Sequence, residues 1–241
     1  MKNENLVICW FSCGIASTIA TKLAIDKYEL TDIYYIDTGS EHPDNIRYLS
    51  DCEKWFDKEI HILKNSNYKN HFDVIEKTRY INGVGGARCT KELKKNVRFE
   101  LEDRLKTWKY QVIGYDITEK RRAEKFKMQY PNVRAIFPLI EHGITKSECI
   151  TLVRRAGIQI PKMYELGYNN NNCIGCVKGG KGYWNAIRHD FPEIFERMSG
   201  MERKLGRSCI NGCFLDQLPY VEIKRVIESC SLFCDPDFMN E

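Results

Sequence analysis

The sequence predicts an α/β protein with an open parallel sheet and helices on both faces. Apolar segments of strand length alternate with amphipathic segments of helix length over the first two thirds of the chain, and the first apolar segment, residues 6–11, contains no polar side chain. A continuously apolar strand suits a parallel sheet that is covered on both faces. Strands that alternate with helices indicate βαβ units with right-handed crossovers.

The individual elements are placed by their apolar spacing and by the residues that end them. Apolar residues at helical spacing predict the first helix, and these are Ile19, Ala20, Leu23 and Ala24. Turn residues end the second strand at Asp37 and the fourth at Gly114, and Pro138 closes the fifth. Further predicted strands are 33–36, 59–63, 110–113 and 134–137, and further predicted helices are 43–55, 91–107, 118–128 and 183–205, the last bent or restarted near Pro192.

Composition excludes several classes of protein. The chain has 241 residues, of which 43% are hydrophobic and 29% charged, which excludes a disordered or fibrous protein. No apolar segment approaches the roughly 20 residues of a membrane helix, and the first residues do not resemble a secretory signal, so we expect a cytoplasmic protein with no membrane partner. The formal net charge of +4 permits an anionic substrate but does not by itself indicate nucleic acid.

Cysteine content is the compositional outlier. The chain has eleven cysteines, and in a reducing cytosol they are expected to be metal or cluster ligands, reactive thiols or small core residues. Six of the eleven follow Gly157, where the composition also becomes richer in proline and asparagine. We therefore predict a nucleotide-binding α/β domain over 1–157 and a cysteine-rich, mainly helical C-terminal region over 158–241 packed on it.

The turn after the first strand has the composition of an anion-binding loop. Gly14 permits close approach, and hydroxyls come from Ser12, Ser17 and Thr18. The loop matches neither of the common glycine-rich phosphate motifs, GxGxxG and GxxxxGK[ST]. An ordinary strand-to-helix turn with a Ser or Thr cap is the alternative interpretation.

Two further sets of polar residues follow predicted strands. Asp37-Thr38-Gly39 follows the second strand, and Gly114-Tyr115-Asp116 follows a later one, with Glu119, Arg121 and Arg122 close behind. Together with the first loop, this set resembles the phosphoadenosine-phosphosulfate (PAPS) reductase-like group of the adenine-nucleotide alpha-hydrolase (PP-loop) superfamily. Segments 137–140, 145–157 and 165–168 are also similar to that group, so the resemblance covers roughly residues 7–176.

The resemblance implies a nucleotide site built from these turns. Its implied nucleotide- or phosphate-binding residues are Ser12, Gly14, Ser17, Thr18, Asp37, Gly39, Gly114, Glu119, Arg121 and Arg122. Guanidinium groups suit anionic oxygens, although a solvated basic helix face is the alternative for the two arginines. Related ATP pyrophosphatases carry Ser-Gly-Gly-x-Asp-Ser in the loop, whereas Cys13 and Ala16 stand here at a glycine and at the acidic position. This departure favours PAPS or adenylyl sulfate over ATP as substrate.

Cys173 and Cys176 form a CxxC motif in a glycine-rich turn, which suits one metal ion or two corners of an iron–sulfur cluster. The segment that begins at Cys89 resembles the cysteine segment of iron–sulfur members of the group, which carry a Cys-Cys pair there. The resemblance therefore implies a [4Fe-4S] cluster on Cys89, Cys173, Cys176 and one more ligand. We favour Cys209 for that ligand over Cys213, Cys230 and Cys234. Zinc, or free or redox-active thiols, are the alternatives.

Cys230 is the candidate catalytic nucleophile. Cys230-Ser231-Leu232 is similar to the C-terminal nucleophile segment of sulfonucleotide reductases, although the surrounding match is poor. The alternatives are that Cys230 lies on the apolar face of a last helix or binds the cluster. Cys9, Cys52 and Cys149 are predicted to be core residues.

Three functions follow from these interpretations. The first is an oxidoreductase that reduces PAPS or adenylyl sulfate to sulfite through a cysteine thiolate, with a thioredoxin-like electron donor as partner. The second is an ATP-dependent, iron–sulfur-assisted thiolation of tRNA or DNA, which would make nucleic acid a partner. The third is a non-enzymatic nucleotide- or redox-sensing module. A homodimer is one oligomeric state that the sequence leaves open.

Overall fold

The computed structural model describes residues 4–83 and 86–227. Its sheet has five strands in the order β3-β2-β1-β4-β5. The strands are β1 Val7–Phe11, β2 Thr31–Asp37, β3 Ile60–Lys64, β4 Tyr110–Val112 and β5 Ala135–Ile136. This parallel sheet with its connecting helices is the predicted α/β fold.

Helices fill the connections between strands and most of the C-terminal third. The α-helices are α1 Ile15–Lys27, α2 Asn45–Phe56, α3 His71–Thr78, α4 Arg88–Thr90, α5 Asn96–Leu105, α6 Lys120–Gln129, α7 Pro138–Glu141, α8 Lys146–Arg155, α9 Lys162–Glu165, α10 Lys181–Asp190 and α11 Pro192–Leu205. A π-helical segment, Lys91–Lys95, joins α4 to α5, and 3₁₀ turns cover Ile117–Glu119 and Leu215–Gln217. None of the helices in the described part of the chain combines the length and apolar composition that a membrane span requires.

The first strand lies at the centre of the sheet. All five residues of β1 are buried, as its unbroken apolar sequence predicted. In parallel register, Val7 lies opposite Thr31 of β2 on one side and opposite Tyr110 of β4 on the other. The strand order therefore reverses at β1: β2 and β3 lie on one side of it, and β4 and β5 lie on the other. In open α/β sheets, ligands bind at the carboxyl ends of the strands beside such a reversal.

Several boundaries differ from the predicted ones for local reasons. The helix predicted over 91–107 begins at Arg88 and passes through the π-helical segment. The helix predicted over 183–205 begins at Lys181, and it restarts at Pro192 as predicted, because Pro192 lacks a backbone N–H and takes the first position of a new helix, α11. Helix α3 was not predicted, since it is short and is started by Asn70, whose side chain accepts a hydrogen bond from the amide of Asp73.

The described residues group into two compact units. One unit contains residues 4–36, 43–63 and 99–162, and the other contains 37–42, 64–83, 86–98 and 163–227. This grouping differs from the contiguous division predicted at residue 157, because segments that follow β2 and β3 belong with the C-terminal region. We call the first the sheet unit and the second the cysteine unit. The core of the cysteine unit surrounds the fully buried Trp184, and Cys89 and Cys213 pack against this core.

Candidate functional site

The loop between β1 and α1 is fastened by hydrogen bonds between its own residues. The hydroxyl of Ser17 donates to the carbonyl of Gly14 at 2.8 Å and accepts the amide of Ser12 at 3.1 Å. The exposed Ser12 places its hydroxyl 3.0 Å from that of Ser17. The hydroxyl of the fully buried Thr18 donates to the same Gly14 carbonyl and lies 2.8 Å from that of Tyr48. Thr18 therefore supports the loop from behind, while Ser12 faces solvent.

The start of α1 lies at this loop. Gly14 is the N-cap of the helix and has no side chain with which to cap it, and no acidic residue lies in the first turn. The positive end of the helix dipole thus favours a negatively charged group at this loop. Cys13, at a position where related pyrophosphatases carry glycine, is buried with a φ of 54°. A non-glycine residue in this left-handed conformation costs about 1–2 kcal/mol, which the rest of the loop must offset.

The turn after β4 packs directly on this loop. A Cβ atom at Gly114 would lie 2.7 Å from both the backbone nitrogen and the Cα of Ser17, so only glycine fits this approach. The chain then enters a capping box in which Asp116 and Glu119 accept each other's backbone amides. Glu119 also accepts from Arg122 at 2.6 Å, and the guanidinium of Arg122 stacks 4.3 Å above the ring of Tyr115. Arg122 is thus held in a fixed orientation, whereas Arg121 is exposed to solvent.

The turn after β2 belongs to the cysteine unit. Asp37 accepts the amide of Gly39 at 2.7 Å and pairs with Lys64 at 2.8 Å. Gly39 has a φ of +66°, and a Cβ atom there would lie 2.0 Å from the carbonyl oxygen of Lys69. Between them, the hydroxyl of Thr38 lies 3.2 Å from the sulfur of Cys173. The second predicted turn therefore contacts the CxxC motif, a relation that spacing in the sequence does not reveal.

Three of the predicted ligands line one hollow in the cysteine unit. Its lining includes Cys89, Cys173, Cys176, Thr38, His71, Lys94 and Lys178. The buried thiol of Cys209 is near enough to Cys176 and Cys89 for their charges to raise its pKa. Within residues 4–83 and 86–227, however, no three cysteine, histidine or acidic side chains are gathered closely enough to hold a metal ion as they stand.

Burial controls the protonation of these thiols. It raises the pKa of Cys173 well above its ordinary value, and the carboxylate of Glu41 adds to the rise while Lys94 opposes it. Burial, followed by the neighbouring Glu202, also raises the pKa of Cys209. The thiols of Cys173 and Cys209 are therefore protonated at neutral pH without a bound cation, and a cofactor would have to displace their protons.

The helical segment that carries Cys89 is irregular. Cys89 lies in α4, at the start of a continuous helical run, where the helix dipole favours a thiolate. The π-helical turn follows at once and contains Leu93 and Lys94, both of which line the hollow. Single π-helical turns occur frequently at functional sites.

His71 is a component of this hollow that sequence spacing did not reveal. It is the first residue of α3 and only 3% exposed. Its Nδ1 lies 2.7 Å from the hydroxyl of Ser40, and its Nε2 has no hydrogen-bond partner among the described atoms. Burial, together with the charge of Arg197, lowers the pKa of His71 to about 3, while the carbonyl of Gly175 acts in the opposite direction. The imidazole is therefore neutral at physiological pH.

The remaining cysteines fall into three groups. Cys9, Cys52 and Cys149 are buried, as predicted for core residues. Cys213 is partly buried, with its sulfur 3.5 Å from the carbonyl of Phe214. Cys230 and Cys234 lie outside the described residues.

Comparison with known proteins places the chain in a family. The family model described as phosphoadenosine phosphosulfate reductase domain matches residues 6–180. Two uncharacterized proteins of Methanocaldococcus jannaschii are similar: MJ0973 is 26% identical over 223 residues, which are 85% of this chain and 50% of that protein, and MJ0066 is 24% identical over 215 residues, which are 84% and 42%. The chain thus spans half or less of the length of these curated relatives.

A solved structure shares the fold. The crystal structure of phosphoadenylyl-sulfate (PAPS) reductase from Candida auris, a phosphate complex, superposes with a TM-score of 0.51 and 13% identity, covering 70% of this chain and 81% of that one. At this identity the likeness concerns the fold alone. Because the family model spans well over half of its length, the chain belongs to the phosphoadenosine phosphosulfate reductase domain family.

Proposed function

We propose that this protein is a sulfonucleotide reductase that binds PAPS or adenylyl sulfate and releases sulfite. The observation that carries the proposal is the loop at residues 12–17, which is held by hydrogen bonds to the hydroxyl of Ser17, leads into the N-terminus of α1 and packs directly against Gly114. Such a loop is built to receive a doubly or triply charged group at the carboxyl ends of β1 and β4. Membership of the reductase family supports the sulfonucleotide as the source of that group.

Binding is assigned to the sheet unit. Ser12 offers an exposed hydroxyl, and the start of α1 offers its dipole to phosphate or sulfate oxygens. Arg122, already oriented by Glu119 and Tyr115, supplies a positive charge after β4. Because its partner Glu119 also accepts the amide of Asp116, the carboxylate is fixed and the guanidinium need not be reorganised when substrate binds.

Reduction requires a thiolate and a second thiol. A cysteine thiolate, for which Cys230 is the candidate, attacks the sulfur of the bound sulfonucleotide. The new S–S bond forms as the bond from sulfur to the bridging phosphate oxygen breaks, and the nucleotide leaves with that oxygen. A thiolate of a thioredoxin-like donor then attacks the enzyme's sulfur, which expels sulfite and leaves a mixed disulfide. The donor's second thiol resolves this disulfide and restores the enzyme thiol.

The chain leading to Cys230 is anchored as far as it is described. Arg225 forms a two-pronged ion pair with Asp190 at 2.8 and 2.9 Å, and Tyr168 donates to the same carboxylate. The amide of Ile227 donates to the side chain of Asn169 at 2.9 Å. These contacts fix the backbone only a few residues before the candidate nucleophile.

Replacing Asp190 by asparagine is expected to destabilise the protein by roughly 2 kcal/mol at pH 7. Burial opposes ionisation of Asp190, but hydrogen bonds from Arg225, His189 and Tyr168 outweigh it and lower its pKa to about 2. The stabilisation is therefore complete above pH 4, where an unfolded aspartate is also ionised, and is lost as the pH falls towards 2. Urea unfolding of both proteins at pH 7 and below pH 3 measures this difference. An equally large difference in the free energy of unfolding at both pH values would show that the stabilisation does not come from the ionised carboxylate of Asp190.

A [4Fe-4S] cluster is the cofactor that we propose for the cysteine unit, on Cys89, Cys173, Cys176 and Cys209. Cys89, Cys173 and Cys176 line one hollow, and Cys209 lies near enough to Cys176 and Cys89 for them to raise its pKa. The described side chains do not converge as closely as one zinc ion with four sulfur atoms at about 2.3 Å requires, so a larger cluster suits them better. Lys94 and Lys178 in the lining would offset the negative charge of a thiolate-bound cluster. When bound, the cluster would supply a buried redox or electrostatic centre tuned by its hydrogen bonds.

The decisive experiment measures sulfite. Protein that has been reconstituted anaerobically with iron and sulfide is mixed with PAPS or adenylyl sulfate and a thioredoxin system. We expect sulfite release that Cys230→Ser abolishes and that Cys149→Ser, in the core of the sheet unit, leaves intact. No sulfite from either nucleotide rejects the proposal, and turnover of ATP to AMP that depends on tRNA or DNA would establish the thiolation alternative instead.

Replacing Arg122 by glutamine is expected to weaken binding of PAPS or adenylyl sulfate about 10- to 100-fold. Hydrogen bonds to charged groups contribute roughly 1.5–3 kcal/mol, and glutamine keeps part of the length without the charge. Calorimetric titration measures the affinity. Lys120→Gln is the control, because it also removes one positive charge but lies on the exposed first turn of α6. Equal affinities of wild type and Arg122→Gln would remove Arg122 from the site.

A further inference from the structure

His71 presents an unexplained polar atom to the cysteine unit. The side chain lines the same hollow as Cys89, Cys173 and Cys176, and its Nε2 is buried without a hydrogen-bond partner among the described atoms. Buried polar atoms are nearly always paired, so an exception points to a missing ion, ligand or water. The pairing of the opposite ring nitrogen indicates what kind of group is missing.

Ser40 determines which ring nitrogen of His71 carries the proton. The hydroxyl of Ser40 accepts the backbone amide of His71 at 3.0 Å and has one hydrogen to donate. That hydrogen can go to Nδ1 of His71 at 2.7 Å or to the carbonyl of Thr38 at 3.4 Å. The shorter contact has the length of an O–H donor, while N–H donors centre on about 2.9–3.0 Å. The length of the contact favours Ser40 as the donor to Nδ1, and in a neutral imidazole that arrangement places the proton on Nε2.

The Nε2 edge of the ring faces away from Ser40, and the backbone carbonyl that acts on the ring is that of Gly175, between the two cysteines of the CxxC motif. A protonated Nε2 cannot ligate a metal, because its lone pair belongs to the ring, but it can donate to sulfur. We propose that His71 is a positioning residue of the cofactor site, a neutral N–H donor directed at a cluster sulfur or at a thiolate of the CxxC motif. This inference rests on the cluster assigned under the proposed function.

Such a donor has a defined effect on the cofactor. Hydrogen bonds to the sulfur atoms of a cluster stabilise its reduced, more negative state and so raise its reduction potential. Removal of the donor should therefore make the cluster harder to reduce without removing iron. A ligand role for His71 predicts the opposite pattern, in which iron is lost.

The tautomer of His71 is tested on the metal-free protein, so this experiment does not require the protein to bind a cluster. Long-range ¹H–¹⁵N NMR correlations distinguish the two neutral tautomers, and the signals of His71 are identified by their absence in His71→Gln. We expect protonated Nε2 and unprotonated Nδ1 in wild type. We expect Ser40→Ala, which removes the hydrogen donated to Nδ1, to raise the population of the other tautomer. Protonation of Nδ1 in wild type overturns the proposal.

The donor role is tested by potentiometric titration of the reconstituted protein. His71→Leu removes the donor, and His71→Gln keeps an N–H group near the position of Nε2. We expect wild-type iron and sulfide contents in both, a more negative potential in His71→Leu, and a potential close to wild type in His71→Gln. Ser40→Ala should shift the potential in the same direction by less, and it keeps the test decisive if His71→Leu does not fold.

The remaining outcomes overturn the inference in separable ways. Loss of iron from His71→Leu and His71→Gln alike would make His71 a ligand, and an unchanged potential in His71→Leu would show that Nε2 donates to no sulfur of the cofactor. If the wild-type protein takes up no cluster, the proposed cofactor is wrong and His71 has no cluster sulfur to donate to. This outcome holds for either tautomer of the metal-free protein.

Discussion

Replacing Cys176 by serine is expected to abolish cluster incorporation, lowering iron and acid-labile sulfide at least tenfold after anaerobic reconstitution. Cys176 lies close to two of the other proposed ligands, since it is near enough to Cys173 and to Cys209 to raise the pKa of each thiol. Serine keeps the size of the side chain but not the soft, polarisable sulfur that iron–sulfur clusters use. The loss of broad absorbance near 400 nm would report the same result optically.

Matched cysteine variants make this test specific. Cys149→Ser changes a buried cysteine of the sheet unit and should retain the full iron content. Cys209→Ser should behave like Cys176→Ser, because Cys176 and Cys89 are near enough to Cys209 to raise its pKa. Cys213→Ser should behave like wild type, because the sulfur of Cys213 contacts the carbonyl of Phe214. Retention of wild-type iron by Cys176→Ser would show that the hollow does not hold a cluster.

The fold could be predicted because its central strand carries an unusually clear signal. The unbroken apolar sequence at 6–11 fits a strand buried on both sides, and the turn residues after it follow from the topology of a parallel sheet. Boundaries were less accurate where a local interaction overrides periodicity. Asn70 starts a helix that is too short to show an apolar stripe. The restart at Pro192 was predictable, because proline breaks a helix whatever the apolar pattern around it.

The candidate site could be predicted only in part, because its members come from distant segments. The CxxC motif and Cys89 are recognisable by local pattern, but Thr38 and His71 approach them only in the folded chain. His71 has no second ligand residue at a recognisable spacing in the sequence. Its burial and its contact with the hydroxyl of Ser40 are seen only in the folded chain, and these observations led to the proposal for it. Thr18 illustrates the converse, since a hydroxyl in a phosphate-loop pattern proves to be buried behind the loop.

Family membership and chemistry are supported by different observations. The match over residues 6–180 establishes the domain, while the curated relatives are about twice as long as this chain or longer. The match therefore assigns to this chain nothing that the additional segments of those relatives do. For this reason the sulfite assay includes an external thioredoxin system.

Replacing Gly114 by alanine is expected to weaken binding of PAPS or adenylyl sulfate at least tenfold and to lower the free energy of unfolding by about 1–3 kcal/mol. The added Cβ would lie 2.7 Å from two backbone atoms of Ser17, and no rotation of a side chain can relieve contacts with backbone. The loop would have to move away from β4. That movement would disturb the two hydrogen bonds of the Ser17 hydroxyl, which accepts the amide of Ser12 and donates to the carbonyl of Gly14.

Urea unfolding and calorimetric titration measure these two effects separately, and Gly200→Ala supplies the control. Gly200 lies within α11, where a Cβ atom meets nothing within 4 Å, so alanine there should stabilise the helix by roughly 0.5–1 kcal/mol and leave binding unchanged. If Gly114→Ala bound the nucleotide as tightly as wild type, the loop would not be the anion site. A lower free energy of unfolding with unchanged nucleotide affinity would show that Gly114 matters for packing and not for binding. A loop that binds normally after it has been displaced does not owe its affinity to the geometry at Ser17.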